Sequence, residues 1–140
     1  MKARVLLVAA VAAATAGCGS NPPSTESVVR AWSQALNSED NQGAANLFAP
    51  GAEIVQGDRV VTLRTHAEAV EWNRELPCSG RIVSIKSTDH TATATFELGD
   101  RSDSRCDGPG QRATAIFRVV NGKIVLWHQT ATPTPPSSTA

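Results

Sequence analysis

The chain has 140 residues, and its 13 lysines and arginines balance 13 aspartates and glutamates, so it carries no formal net charge. This length is enough for a single domain and short for two. No basic run or stripe occurs in the sequence, which argues against nucleic acid as a partner and against electrostatic docking to a membrane. Tyrosine is absent, which limits the enzyme mechanisms that the chain could support.

The N-terminus has the pattern of an export signal. A cationic start precedes an apolar run over residues 5–14, which is too short to cross about 30 Å of hydrocarbon. The small residues Ala16 and Gly17 then precede Cys18, and this segment resembles the lipobox of bacterial lipoproteins. The resemblance implies a signal peptide over residues 1–17, acylation of Cys18 with palmitate-type chains, and a lipid anchor that holds the protein on the extracytoplasmic face of the cell membrane.

Plain secretion with cleavage after Ala16 is the alternative, because residues 14–16 also fit the small-x-small rule. The cysteine count favours the lipoprotein. Plain cleavage would leave three cysteines, and therefore one odd thiol, on an exported protein. If Cys18 is acylated, Cys78 and Cys106 remain as one pair in an oxidising compartment, and we expect them to form a structural disulfide bond.

The first predicted elements are two helices. A polar tether over residues 18–25 leads into a domain predicted to span residues 26–130. Ser24 or Thr25 can cap the first helix, whose apolar residues recur at one-turn spacing: Val28, Val29, Trp32, Ala35 and Leu36. A short second helix is predicted from about Asp40, with Leu47 and Phe48 facing inward and Pro50-Gly51 ending it.

Strands and one further helix follow. Residues 53–55 and 59–63 read as two short strands around a Gln-Gly-Asp turn. Thr65 and Glu68 form a capping box that opens a third helix, which Pro77 ends. Four longer strands complete the domain, over residues 81–87, 91–98, 111–120 and 123–130. The Thr/Pro/Ser-rich tail over residues 131–140 is predicted to be disordered.

The turn Asn121-Gly122 predicts a tight type I′ hairpin between the last two strands. An uninterrupted register would place Val119 opposite Ile124, Phe117 opposite Leu126 and Ala115 opposite His128. Because side chains alternate between the faces of a strand, this register turns His128 inward and Trp127 outward.

Three segments carry a resemblance to a known superfamily: residues 29–40 (VRAWSQALNSED), 45–52 (ANLFAPGA) and 117–127 (FRVVNGKIVLW). They resemble the first helix, the end of the second helix and the terminal hairpin of nuclear transport factor 2-like (NTF2-like) domains, which include SnoaL-like and ketosteroid-isomerase-like proteins. The resemblance implies an α+β fold in which a curved antiparallel sheet wraps around three helices from the N-terminal half. Such a cone has an apolar pocket in its concave face.

The predicted inner face of the sheet carries unusually small side chains, including Ala94, Ala113 and Ala115. Either large helix residues such as Trp32 and Trp72 fill the space above them, or a cavity remains that would suit a hydrophobic guest. The candidate pocket residues on this interpretation are Trp32, Phe48, Trp72, Ala94, Ala115, Phe117, Leu126 and His128.

No catalytic set stands out in the sequence. Ketosteroid-isomerase-type sites use an Asp base with a Tyr and a protonated Asp, and this chain has no Tyr. His66, His90 and His128 are too scattered for a metal site, so no metal and no cofactor are expected.

The leading hypothesis is a membrane-anchored module that binds a hydrophobic small molecule or an envelope protein. One alternative is an isomerase or hydrolase with His128 or His66 as its base. Another is a structural module that docks an envelope partner, or a second copy as a homodimer, through an outer sheet face bearing Trp127.

Overall fold

The computed structural model describes residues 21–132. The predicted signal peptide, Cys18 and most of the predicted C-terminal tail lie outside the described residues. Three helices are present: α1 (Thr25–Asn37), α2 (Asn41–Asn46) and α3 (His66–Glu75). Six strands are present: β1 (Phe48–Gln56), β2 (Arg59–Leu63), β3 (Cys78–Ser87), β4 (Thr91–Asp100), β5 (Arg112–Val120) and β6 (Lys123–Thr130).

All six strands form one curved sheet in the order β2-β1-β6-β5-β4-β3. Every pairing is antiparallel except that of β1 with β6, which is parallel. The helices lie against the concave face of this sheet, and the core forms between the two layers. The predicted α+β architecture is confirmed.

The helices begin where local capping predicts. The Ser24 side chain accepts a hydrogen bond from the Ser27 amide, and Thr65 and Glu68 form both halves of the capping box. Thr25, predicted as the last residue of the tether, is instead the first residue of α1 and is buried. Its hydroxyl donates to the carbonyl oxygen of Asp89 at 2.7 Å, so the N-terminal end of the domain is fastened to the β3–β4 turn.

The second helix is shorter than predicted, and the prediction that it includes Phe48 is wrong. Helix α2 ends at Asn46, and Phe48 is the first residue of β1, paired with Ile124 of β6. Pro50 also lies within β1, where the register with β6 shifts between Phe48 and Glu53. A proline fits there because the interrupted ladder does not require its missing N–H.

The predicted register of the last hairpin is wrong beyond its first pair. Val119 faces Ile124 as expected, but Arg118 then pairs with Leu126, which leaves an extra residue in β6. Phe117 therefore pairs with Trp127, and the inward and outward sets of β6 exchange. Because side chains alternate with a period of two, one inserted residue is enough to reverse the faces.

The six aromatic residues of the chain form one buried aromatic cluster on the concave face, comprising Trp32, Phe48, Trp72, Phe96, Phe117 and Trp127. Trp32 is its centre and contacts four of the other rings, the nearest being Phe117 at 5.4 Å between ring centroids. Trp72 and Trp127 meet edge to face at 5.1 Å. Burying rings of this size supplies much of the hydrophobic stabilisation in a domain this small.

Arg101, just beyond β4, forms a buried polar network. Its side chain is 2% exposed, and its Nη2 donates to Glu39 Oε2 and to Asn41 Oδ1, both at 2.9 Å. Its Nη1 donates to the carbonyl oxygens of Asn73 at 2.6 Å and Leu76 at 2.8 Å. The guanidinium thus joins the α1–α2 connection to the C-terminal end of α3, where carbonyl groups lack helical partners.

The predicted disulfide bond between Cys78 and Cys106 is confirmed, with an S–S distance of 2.06 Å. It fastens the loop between β4 and β5 to the start of β3. Closing a loop between residues 28 positions apart stabilises the fold by about 3 to 4 kcal/mol on the chain-entropy estimate.

The Arg101 network makes stability depend on pH. The hydrogen bond from Arg101 lowers the pKa of the Glu39 carboxyl group, which the Ser102 amide also lowers, while burial opposes both. The stabilisation is fully present above the ordinary glutamate pKa and is lost as the pH falls through the lower folded-state value. We therefore expect the free energy of unfolding to fall with acidification, and to fall less in Glu39→Gln, in urea titrations across an acidic pH series.

The matched control is Glu75→Gln, the same substitution at an exposed position near the end of α3. If the free energy of unfolding of Glu39→Gln depended on pH as it does in the unmodified protein, the Glu39–Arg101 ion pair would not be the source of that dependence.

Candidate ligand-binding site

A cavity of about 250 Å³ opens at one end of the concave face. Its wall combines residues of α1, the segment after α3, and strands β3, β4, β5 and β6. The apolar part of the lining consists mainly of Trp32, Leu36, Leu76, Phe96, Leu98, Ala113, Ala115 and Trp127. The polar side chains at its rim are Gln56, Ser79, Asp107 and Gln129.

The cavity exists because β5 carries small residues where the aromatic cluster ends. Ala113 and Ala115 lie in this wall, and neither side chain reaches across to the helices. At the other side of the cavity, Gly80 allows β3 to pass close to Phe96, since an added Cβ would lie 3.1 Å from the Phe96 Cβ. The small-residue signal in the sequence therefore corresponds to real space, next to a part of the concave face that is filled.

Helix α1 is held at a fixed distance from this wall by hydrogen bonds to Gly80. Asn37 receives a bond from the Gly80 amide through Oδ1 and donates to the Gly80 carbonyl oxygen through Nδ2, each at 2.9 Å. Ser33 Oγ donates to the same carbonyl oxygen at 2.9 Å. These three hydrogen bonds fix the position of this wall of the cavity.

The rim is polar but weakly charged. Gln56 Nε2 donates to Gln129 Oε1 at 3.2 Å across the ends of β1 and β6. Asp107 is the only charged side chain among the described lining residues, and it is exposed beside the disulfide bond, with Oδ1 3.5 Å from Cys78 Sγ. Cys78, Cys106 and Asp107 lie close enough to suggest metal ligands, but their sulfur atoms are bonded to each other and are not thiolates.

Two tryptophans line the cavity with different polar environments. Trp32 Nε1 donates to Asn73 Oδ1 at 2.8 Å, and the fully buried Asn73 in turn donates to the Ala69 carbonyl oxygen at 2.8 Å. Trp127 Nε1 is the one buried side-chain nitrogen or oxygen in residues 21–132 that lacks a hydrogen-bond partner. The edge-to-face packing of the Trp127 ring against Trp72 is the type of contact in which an N–H can interact weakly with an aromatic face.

The structure distributes the eight predicted pocket residues over three places. Trp32 and Ala115 line the cavity. Four others are buried in the core outside the lining: Phe48, Trp72, Ala94 and Phe117. Leu126 and His128 lie on the opposite, convex face of the sheet, so their assignment to the pocket is wrong. The cause is the extra residue in β6.

The same shift corrects the placement of two residues, Trp127 and His128, on which alternative hypotheses drew. Trp127 is 6% exposed and belongs to the aromatic cluster, so it cannot form an outer docking patch. No histidine is among the residues that line this cavity, so neither His128 nor His66 lies at it. His66 instead lies on the surface with Nε2 2.8 Å from Gln42 Oε1, and His90 is in the β3–β4 turn.

Sequence reasoning missed Trp127, Gln56 and Gln129 as cavity residues. The two glutamines end adjacent strands that are far apart in the sequence, and only the parallel β1–β6 pairing brings them together. The preference of tryptophan for burial is the signal that could have identified Trp127. Burying its indole stabilises the fold more than an uninterrupted hairpin register would.

No protein-family model matches this sequence, and no curated protein matches it. Solved structures resemble its fold. An NTF2-like protein of unknown function from Cytophaga hutchinsonii has a TM-score of 0.63 at 11% identity, covering 76% of this chain and 88% of its own. A candidate polyketide cyclase from Sinorhizobium meliloti has a TM-score of 0.62 at 14% identity, and the match covers 74% of this chain and 94% of its own. A candidate ketosteroid isomerase from Kribbella flavida has a TM-score of 0.56 at 18% identity, and the match covers 80% of this chain and 83% of its own.

These similarities establish that the fold is an NTF2-like cone, as the sequence predicted. At such identities they establish the fold alone, because many unrelated activities share one fold. Between residues 21 and 132, no helix is both long enough and apolar enough to cross a membrane.

The two cavity tryptophans allow a matched test of the buried polar contact. Trp32→Phe leaves Asn73 Oδ1 buried without its donor, whereas Trp127→Phe removes a donor that has no partner. We expect Trp32→Phe to lower the free energy of unfolding by about 1 to 3 kcal/mol more than Trp127→Phe does. Urea unfolding of the two variants under the same conditions measures the difference, and equal losses would contradict the importance of the Trp32–Asn73 bond.

Proposed function

We propose that this protein is an extracytoplasmic lipoprotein, anchored to the cell membrane through Cys18, whose NTF2-like domain binds a hydrophobic small molecule. The observation that carries the proposal is the open apolar cavity beside the aromatic cluster. A domain that needed its concave face only for stability would gain by filling this space, since empty apolar volume costs stability.

The cavity favours a compact, uncharged guest. Its volume of about 250 Å³ is just below the usual range for small-molecule sites, which starts near 300 Å³. The amide groups of Gln56 and Gln129 can hydrogen-bond to a single polar group at the rim. An anionic guest would meet the carboxylate of Asp107 with no cationic side chain among the described lining residues to compensate.

Binding explains these residues better than catalysis does. General acid–base chemistry needs a titratable group within hydrogen-bonding reach of the reacting atoms. The cavity instead presents neutral amides, with its one carboxylate at the exposed rim. The isomerase or hydrolase alternative relied on a histidine in the pocket, and no histidine lines it.

Filling the cavity should abolish binding. In Ala113→Leu, three added carbon atoms would project into the cavity from β5. The uncharged dye N-phenyl-1-naphthylamine should show a saturable fluorescence increase with the unmodified protein, and its affinity should fall at least about tenfold in Ala113→Leu, equivalent to about 1.4 kcal/mol. Fluorescence titration of the folded variants measures this.

The control is Thr93→Leu, which adds a leucine to the convex face of the neighbouring strand, where Thr93 is exposed. It should leave dye binding unchanged. Equal binding by Ala113→Leu, or absence of saturable binding by the unmodified protein, would refute a hydrophobic site in this cavity.

Removing the acylated residue should release the protein from the membrane. In the bacterial cell, the unmodified protein should incorporate radiolabelled palmitate and sediment with membranes, and Cys18→Ser should do neither, because its hydroxyl does not replace the thiol in lipid attachment. The double variant Cys78→Ser/Cys106→Ser should still incorporate label. Membrane association of Cys18→Ser equal to that of the unmodified protein would overturn the anchor.

A further inference from the structure

The sheet has two functionally different ends. Strand registers place Gln56, Gln129 and the start of β3 at one end, where the cavity opens, which we call the cavity end. The β3–β4 turn (88–90) and the β5–β6 turn (121–122) lie at the other, which we call the turn end. These ends are separated by the length of the strands between them.

The N-terminal segment of the domain is packed against the turn end. The Thr25 hydroxyl donates to the carbonyl oxygen of Asp89 at 2.7 Å, and Thr25 is 4% exposed. Pro23 lies on the β5–β6 turn so closely that an added Cβ at Gly122 would be 2.9 Å from Pro23 Cδ. The path of the chain is therefore fixed back to Pro23, at the end of the domain opposite the cavity opening.

Chain lengths then restrict how the domain can sit on a membrane. Only five residue steps separate Cys18 from Pro23, the residue packed on the β5–β6 turn, and fully extended they reach about 18 Å. Strand β3 has 10 residues and spans about 33 Å. A connection of about 18 Å is too short to bring the opposite end of a domain of that length to the membrane.

We infer that the turn end faces the lipid surface and that the cavity opens away from it, into the aqueous compartment. This orientation rests on the proposed acylation of Cys18. It follows that the guest arrives from the aqueous side, as a sparingly soluble free molecule or handed over by another protein. A lipid cannot pass straight from the anchoring leaflet into the cavity, because the opening does not contact that leaflet.

The test compares depth markers at the two ends of the full-length, acylated protein. Ser87→Cys places a thiol at the turn end and Asp58→Cys places one beside Gln56 at the cavity end, both at exposed positions. The native disulfide bond and the acylated Cys18 leave the new thiol free for a bimane label. The labelled proteins are reconstituted into phosphatidylcholine vesicles that contain a lipid with a nitroxide on its headgroup.

Bimane at position 87 should lose most of its fluorescence to the nitroxide, and bimane at position 58 should keep most of its own. A Gly/Ser linker of about 20 residues inserted after Ser20, with a root-mean-square span of about 25 Å, should reduce this difference. Equal quenching at both positions, or stronger quenching at position 58, on protein that stays with the vesicles overturns the orientation and leaves dye binding in the cavity unaffected. The same quenching pattern from Cys18→Ser protein would overturn the anchor, and with it the length argument.

Discussion

The hydrogen bond from Trp32 to Asn73 joins the two halves of this fold. On one side of it, Trp32 is the centre of the aromatic cluster that fills the concave face. On the other, the backbone carbonyl of Asn73 accepts a hydrogen bond from Arg101, which also holds Glu39. A buried polar group that loses its partner costs free energy, so this sequence of contacts couples the packing of the core to the geometry of the helix ends.

That coupling also decides where space is left. The cluster occupies the concave face as far as Trp127, and the alanines of β5 leave the remaining part open. Helix α1 cannot move in to close the gap because Asn37 and Ser33 hold it to the backbone of Gly80. A cavity bounded by a rigid helix and a paired sheet is preformed, and a preformed site loses less free energy to ordering when a guest binds.

The fold is shared with proteins that have little sequence in common with this chain. The solved structures described above are 11 to 18% identical to it. What they share with this chain is the arrangement of helices and sheet. The proposed binding function therefore rests on this chain's own cavity, which is lined by neutral amides and apolar rings.

The sequence alone determined the local features: the caps at Ser24 and Thr65, the alternation of β4, the Asn121-Gly122 turn and the pairing of the two remaining cysteines. Each of these features depends on neighbouring residues or, for the disulfide bond, on the number of cysteines. The cone-shaped fold was predicted from the superfamily resemblance. Only the tertiary structure decided which face of β6 is buried and which carboxylate accepts the hydrogen bonds of Arg101. Trp127 turns inward because burying its indole in the aromatic cluster stabilises the fold more than an unbroken hairpin register would. Glu39 and Arg101 form their ion pair although 62 positions separate them in the sequence.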